Sequence, residues 1–209
     1  QVDGITPGGT ATVISADVTL EADTETTVIA VGGVANIAPL LITNERSAVA
    51  GGNFRATVVH AAPNAPAVDV YVTAPDADLA ASAPLGSFSF QGSLGPVDVA
   101  AGDYQIRVTV AGDASAVVFD SGTGTIPDGA NLWLAAVENT GPGAAPISLV
   151  VLDGAGAGEI LDTNTPAALR VIHASPDAPA VDVVVNDGFA APLIEDLEFP
   201  NPAPNAVDY

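Results

Sequence analysis

The chain has no cysteine and no methionine, and its only cationic side chains are Arg46, Arg55, Arg107 and Arg170, so lysine is absent too. Without cysteine there is no disulfide, thiol nucleophile or zinc–thiolate site. Without lysine there is no Schiff-base chemistry and no lysine–asparagine isopeptide crosslink. A chain free of thiols and thioethers offers few targets to oxidation, which suits a durable exposed polymer. The scarcity of cations matters further. Against four arginines stand 25 acids, a formal net charge of −21. Phosphate backbones are held by basic side chains, which sets nucleic acid aside as a partner, and anionic membrane surfaces are disfavoured for the same reason. So large a charge keeps copies apart in dilute salt. Brine shortens the Debye length to about 3 Å at 1 M and screens that repulsion. The composition fits an extracellular or cell-surface protein in a saline setting.

Long apolar runs are missing as well. No window approaches the roughly 18–20 residues of a membrane-spanning helix, and no basic segment with an apolar core opens the sequence. Seventeen prolines and 21 glycines are spread along it, and no stretch carries a capped stripe of helical period. What remains is β. Apolar residues make up 48%, too many for a disordered chain. Short Val- and Thr-rich alternations recur between Gly, Pro, Asn and Asp clusters: Thr27 to Val31, Ala56 to His60, Val68 to Val72, Tyr104 to Val110, Leu132 to Val137 and Ile147 to Val151. In Val68 to Val72 the two-residue period puts the valines on one face and Asp69 and Tyr71 on the other. Short strands at this density imply all-β, immunoglobulin-like Greek-key sandwiches.

The sandwiches repeat. Val58-Val59-His60-Ala61-Ala62-Pro63-Asn64-Ala65-Pro66-Ala67-Val68-Asp69-Val70-Tyr71-Val72 returns as Val171-Ile172-His173-Ala174-Ser175-Pro176-Asp177-Ala178-Pro179-Ala180-Val181-Asp182-Val183-Val184-Val185, identical at 11 of 15 positions and 113 residues further on. A second correspondence joins Thr19 to Val31 with Thr125 to Val137, both ending Ala-Val, and Ala38-Pro39 parallels Ala145-Pro146. Residues 54–153 thus read as one complete repeat, 1–50 as the second half of another, 154–167 as a Gly/Ala linker and 168–209 as a first half. The sequence opens Gln1-Val2 and closes Asp208-Tyr209, which end to end resemble Asp103-Tyr104-Gln105-Ile106 inside the complete repeat. These four residues are the expected assembly joint. A half-sandwich leaves a sheet edge and an apolar face open. Three arrangements repair it: closure within one chain, head-to-tail docking with another copy, or continuation in a covalent array.

The phrase Val-His-Ala-[Ala/Ser]-Pro-[Asn/Asp]-Ala-Pro-Ala-Val-Asp-Val, with Gly102-Asp103-Tyr104-Gln105-Ile106-Arg107-Val108 downstream, resembles the bacterial and archaeal family labelled domain of unknown function 4397. The resemblance implies a secreted or cell-surface β-sandwich, often in tandem. It carries no established activity and no catalytic residues.

His60 with Asp69, and His173 with Asp182, are the only His–Asp sets in the motif. As metal ligands they fall short of a full coordination shell. They read instead as loop-stabilising groups, hydrogen-bonding a Pro-rich loop whose backbone lacks ladder partners. Ser175 near His173 suggests a nucleophile pair, but the first copy has Ala62 there, so no enzyme is expected and no cofactor. Asp76-Ala77-Asp78 does not match a calcium loop and reads as solvated acid. Trp133 reads as core rather than as a carbohydrate platform. Asn139-Thr140-Gly141 and Asn164-Thr165-Pro166 fail the N-glycosylation pattern. The expectation is a structural, self-associating subunit of an extracellular filament or cell-surface fibre. The alternative is a surface adhesin recognising glycan or protein.

Overall fold

The computed structural model describes residues 2–6, 9–166, 168–185, 190–202 and 207–208. These residues form an all-β protein of two compact units, 1–164 and 165–209.

In the first unit the strands are β1 (Val2–Thr6), β2 (Gly9–Ile14), β3 (Thr24–Val31), β4 (Ala38–Glu45), β5 (Asn53–His60), β6 (Val68–Thr73), β7 (Gly86–Phe88), β8 (Ser93–Ala100), β9 (Gly102–Val110), β10 (Val117–Ile126), β11 (Asn131–Glu138), β12 (Ile147–Leu152) and β13 (Ala157–Ile160). Strands β5 to β13 make the complete sandwich. One sheet runs β13-β12-β11-β5-β8 and the other β10-β9-β6-β7. All the ladders are antiparallel except β5–β11, which is parallel and pairs Leu134 with Val58. Where the β5–β8 register shifts between Ala56 and Val58, Gly95 sits at φ +128°. A Cβ there would lie 2.7 Å from the Ala56 carbonyl oxygen, so the backbones approach only because the position is glycine.

The sandwich core follows from alternation. Val68 and Val70 of β6 meet Ile106 and Val108 of β9, Phe88, Phe119, and Val58, Leu134, Ala136, Ile147 and Leu149 of the facing sheet. Burying each large aliphatic side chain stabilises by about 1.5–3 kcal/mol, set against the entropy of ordering the chain. Trp133 is buried as expected but lies outside this cluster. Its ladder partner is Leu152, whereas Leu134 of the core pairs with Val151. Since residues opposite each other share a face, Trp133, Ala135, Val150 and Leu152 form the outer face of the large sheet. That face is covered. Ile29 of β3 lines a cavity of about 130 Å³ with Val59, Trp133, Ala135, Val137, Val150 and Leu152. The Asn44 amide of β4 donates to the Thr57 hydroxyl at 3.1 Å. The β3–β4 hairpin therefore lies against the back of the complete sandwich.

The stretch read as a linker is partly sheet. Ala157–Ile160 pairs with β12 as an edge strand. The Asp153 carboxylate caps the turn into it by accepting from the amides of Ala155 and Gly156. Glu159 then accepts from the buried Ser148 hydroxyl at 2.6 Å. Farther on, the Thr163 amide donates to the Asp120 carbonyl at 2.9 Å. The sandwich thus extends to about residue 164. Few side chains in Gly154 to Gly158 hinted at this, because backbone pairing supplies the order.

In the second unit β14 (Ala168–Leu169) pairs with β17 (Val207–Asp208), and β15 (Val181–Val183) with β16 (Ile194–Leu197). An isolated bridge joins Ile172 to Pro202.

Candidate functional site

Both copies of the motif fold the same loop. His60 ends β5 and is buried. Its Nε2 lies 3.0 Å from the Pro66 carbonyl oxygen. A carbonyl only accepts, so Nε2 carries the proton. The ring meets the edge of Phe90 at a centroid distance of 6.4 Å. His173 repeats this, with Nε2 3.0 Å from the Pro179 carbonyl and its ring 6.3 Å from Phe199. The proline-rich loop cannot form a ladder there, and the imidazole satisfies the carbonyl that would be left over. Nδ1 differs between the copies. In His173 it accepts from the Ser175 amide at 3.3 Å, whereas in His60 it is buried with no partner. Ser175 thus meets the imidazole through its backbone amide.

The aspartates do other work. One oxygen of the buried Asp69 accepts from the Ser87 hydroxyl at 2.5 Å and the other from the Gly112 amide at 2.8 Å. Asp69 therefore ties β6 to its neighbour β7 and to the β9–β10 turn. Asp182 accepts from the Asp196 amide at 2.9 Å. Each histidine and aspartate has its own partner. Among the described residues no group of three His, Asp or Glu side chains is placed to hold a metal.

The structure describes two of the four residues of the expected joint. Gln1 and Tyr209 are outside the described residues. Val2 is in β1, opposite Ile14. Asp208 is opposite Ala168, with Val207 opposite Leu169. In the complete repeat, Arg55 and Ala56, the counterparts of Ala168 and Leu169, face Asp98 and Val97. By register Asp208 therefore takes the place of Asp98 in β8. The sequence comparison set it beside Asp103, one strand later.

The more informative surface was not singled out in the sequence. Of nine exposed large hydrophobic side chains among the described residues, eight lie within residues 1–50 and 168–209: Val18, Leu20, Val28, Val34, Leu41, Ile172, Val181 and Phe199. Val117 is the one in the complete repeat. Three of the eight correspond to buried residues of the complete repeat. Val28 is 52% exposed and corresponds to Leu134 at 3%, Val181 is 36% exposed against Val68 at 2%, and Ile172 is 63% exposed against Val59 at 1%. A signal was present: Val28 to Val31 and Pro39 to Ile42 are apolar at successive positions, the mark of strands covered on both faces.

A family model described as Domain of unknown function (DUF4397) matches residues 1–71 and 72–184. The chain belongs to that family. The second matched segment of this DUF4397 protein is as long as the 113-residue motif spacing, and both segments contain a copy of the His-Pro loop, at His60 and His173. No curated protein and no solved structure matches the chain. Among the described residues no helix is long and apolar enough to cross a membrane.

Proposed function

We propose that this chain is a self-assembling structural subunit of an extracellular filament or cell-surface fibre. Copies join head-to-tail by β-strand complementation or as neighbours in a covalent tandem array. The observation that carries this reading is the concentration of exposed apolar side chains on the two half-repeats. In ladder register, which sets Ala38 beside Ser148 instead of Ala145, the Val28–Leu41 face of β3–β4 corresponds to the Leu134–Val151 face that the complete sandwich buries. Val181 of β15 corresponds to Val68, which helps bury that face. Each half exposes what the other would cover, and single exposed apolar residues would need no such explanation. The absence of thiols and lysines and the strong acidity support an exposed, saline location.

Molar mass and electron microscopy in high salt test this. The chain should form long assemblies there, and fewer in dilute salt, where the charge of −21 is unscreened. Removing residues 168–209 should abolish assembly while Trp133 fluorescence still reports a folded sandwich. A truncated chain that still polymerises refutes the reading.

A second reading, an adhesin for glycan or protein, has one observation in its favour. A polar cavity of about 350 Å³ under the β3–β4 hairpin is lined by Glu25, Asn44, Glu45, Arg46, Arg55 and Trp133. It holds two of the four arginines in the chain. Glycan-array binding that is lost in Arg46→Ala, with no polymer formed, would favour this role.

A further inference from the structure

We propose that β3 of one copy accepts the segment Ala168–His173 of a second copy as a parallel neighbour strand. This rests on the self-assembly reading and names its joint. In the complete repeat four neighbouring strands run β8-β5-β11-β12. The half-repeats divide that set between them. β3 corresponds to β11 and has its antiparallel partner β4 in the place of β12. On its other edge, where β11 holds β5, β3 carries no ladder among the described residues. β14 corresponds to β5 and has β17 in the place of β8, in the matching register. Among the described residues it carries no parallel neighbour. One half thus presents the vacant edge and the other the missing strand. Under the self-assembly reading the occupant of each edge is a second copy.

The register is set by the observed parallel ladder. Trp133 pairs with Thr57, Leu134 with Val58, Ala135 with Val59 and Ala136 with His60. Carried across the repeat, Thr27 meets Arg170, Val28 meets Val171, Ile29 meets Ile172 and Ala30 meets His173. Three consequences favour this pairing. The exposed Ile172 comes beside Ile29, which packs on the back of the sandwich. Val171 extends the Val28–Leu41 face, which β15 and β16 then cover. Arg170 shares a face with Glu25, two positions before Thr27, so one of the few cations in the chain lies diagonally across from a carboxylate, within reach for a long side chain. A slip by one residue would turn Ile172 to the opposite face.

The chain has no cysteine, so crosslinking starts from a clean background. Ile29→Cys protein is mixed with Ile172→Cys protein in high salt and oxidised. A covalent dimer is expected, and the double variant should give a ladder of covalent multimers. Thr26→Cys with Ile172→Cys, out of register, should give none. Trp133 fluorescence confirms that each variant is folded. A second measurement uses charge: Glu25→Arg and Arg170→Glu should each weaken assembly, and the two together should restore it. Crosslinks confined within one chain overturn the proposal. Assemblies that form but link only through another pair, with no rescue by the charge swap, overturn the register and leave self-assembly standing. Failure of the unmodified chain to assemble overturns both.

Discussion

Val28 and Leu41 face each other across the β3–β4 ladder, and both project to solvent from a strand pair whose other face is packed on the sandwich. A cross-strand aliphatic pair is the unit by which a sheet binds a second layer. Here the pair stays exposed, Val28 at 52% and Leu41 at 40%, where the equivalent Leu134 is 3% exposed.

A charge on that pair should block assembly without unfolding the subunit. Val28→Asp and Leu41→Asp each remove apolar contact and place a carboxylate where a second copy would desolvate it. The expected outcome is loss of high-mass species in sedimentation at high salt. The unfolding free energy from urea titration followed through Trp133 should change by no more than about 0.5 kcal/mol, as for other exposed positions. Val117→Asp, on the complete repeat, should assemble normally.

His60→Ala should destabilise the first unit by about 2–4 kcal/mol. It leaves the Pro66 carbonyl without a donor, removes the edge contact with Phe90 and opens a void. The measurement is urea unfolding followed by Trp133 fluorescence. The same midpoint should be nearly indifferent to His173→Ala, whose contacts are to Pro179 and Phe199 in the second unit. Equal effects on that midpoint would contradict a local role for each ring.

Asp98 should contribute to the acid limb of stability. The Arg55 guanidinium donates to both of its oxygens, at 2.7 and 3.0 Å, and holds its carboxyl below the usual aspartate range. A carboxyl whose folded-state pKa is lowered stabilises fully above its unfolded value, about 3.9. That contribution is lost as pH falls through the lower folded value. Asp113, held down by Ser115, and Asp153, held down by the Gly156 and Ala155 amides, act in the same direction. Thermal midpoints of Asp98→Asn and the parent chain should therefore converge as pH drops below about 4. The effect is small because the pair is partly exposed. Relief of self-repulsion on acidification is largely common to both proteins, so the difference between the two curves isolates the ion pair.

Much of the sandwich was legible locally. The period of two in Val68 to Val72 put Val68 and Val70 in the core, where they are. The same alternation placed Asp69 and Tyr71 on the other face, yet both are buried. Alternation reports which residues share a face, not whether that face is wet. Trp133 shows the same limit, buried as expected but behind the sheet instead of within the sandwich. The His-Pro loop was legible as a loop that needs hydrogen bonds. Its ring partners Phe90 and Phe199 were not, since they lie 30 and 26 residues beyond the histidines.

From the amino-acid order alone came the internal repeat and the β class. Identity between copies and a two-residue period are properties of neighbouring positions. Tertiary structure alone decided that β3–β4 backs onto the complete sandwich, that Ala157–Ile160 is an edge strand, and that Asp208 aligns with Asp98. A strand apolar on both sides, such as Val28 to Val31, does not encode which face meets which partner. That choice is made by residues far away in the chain, through the burial they offer and the backbone edges they leave open.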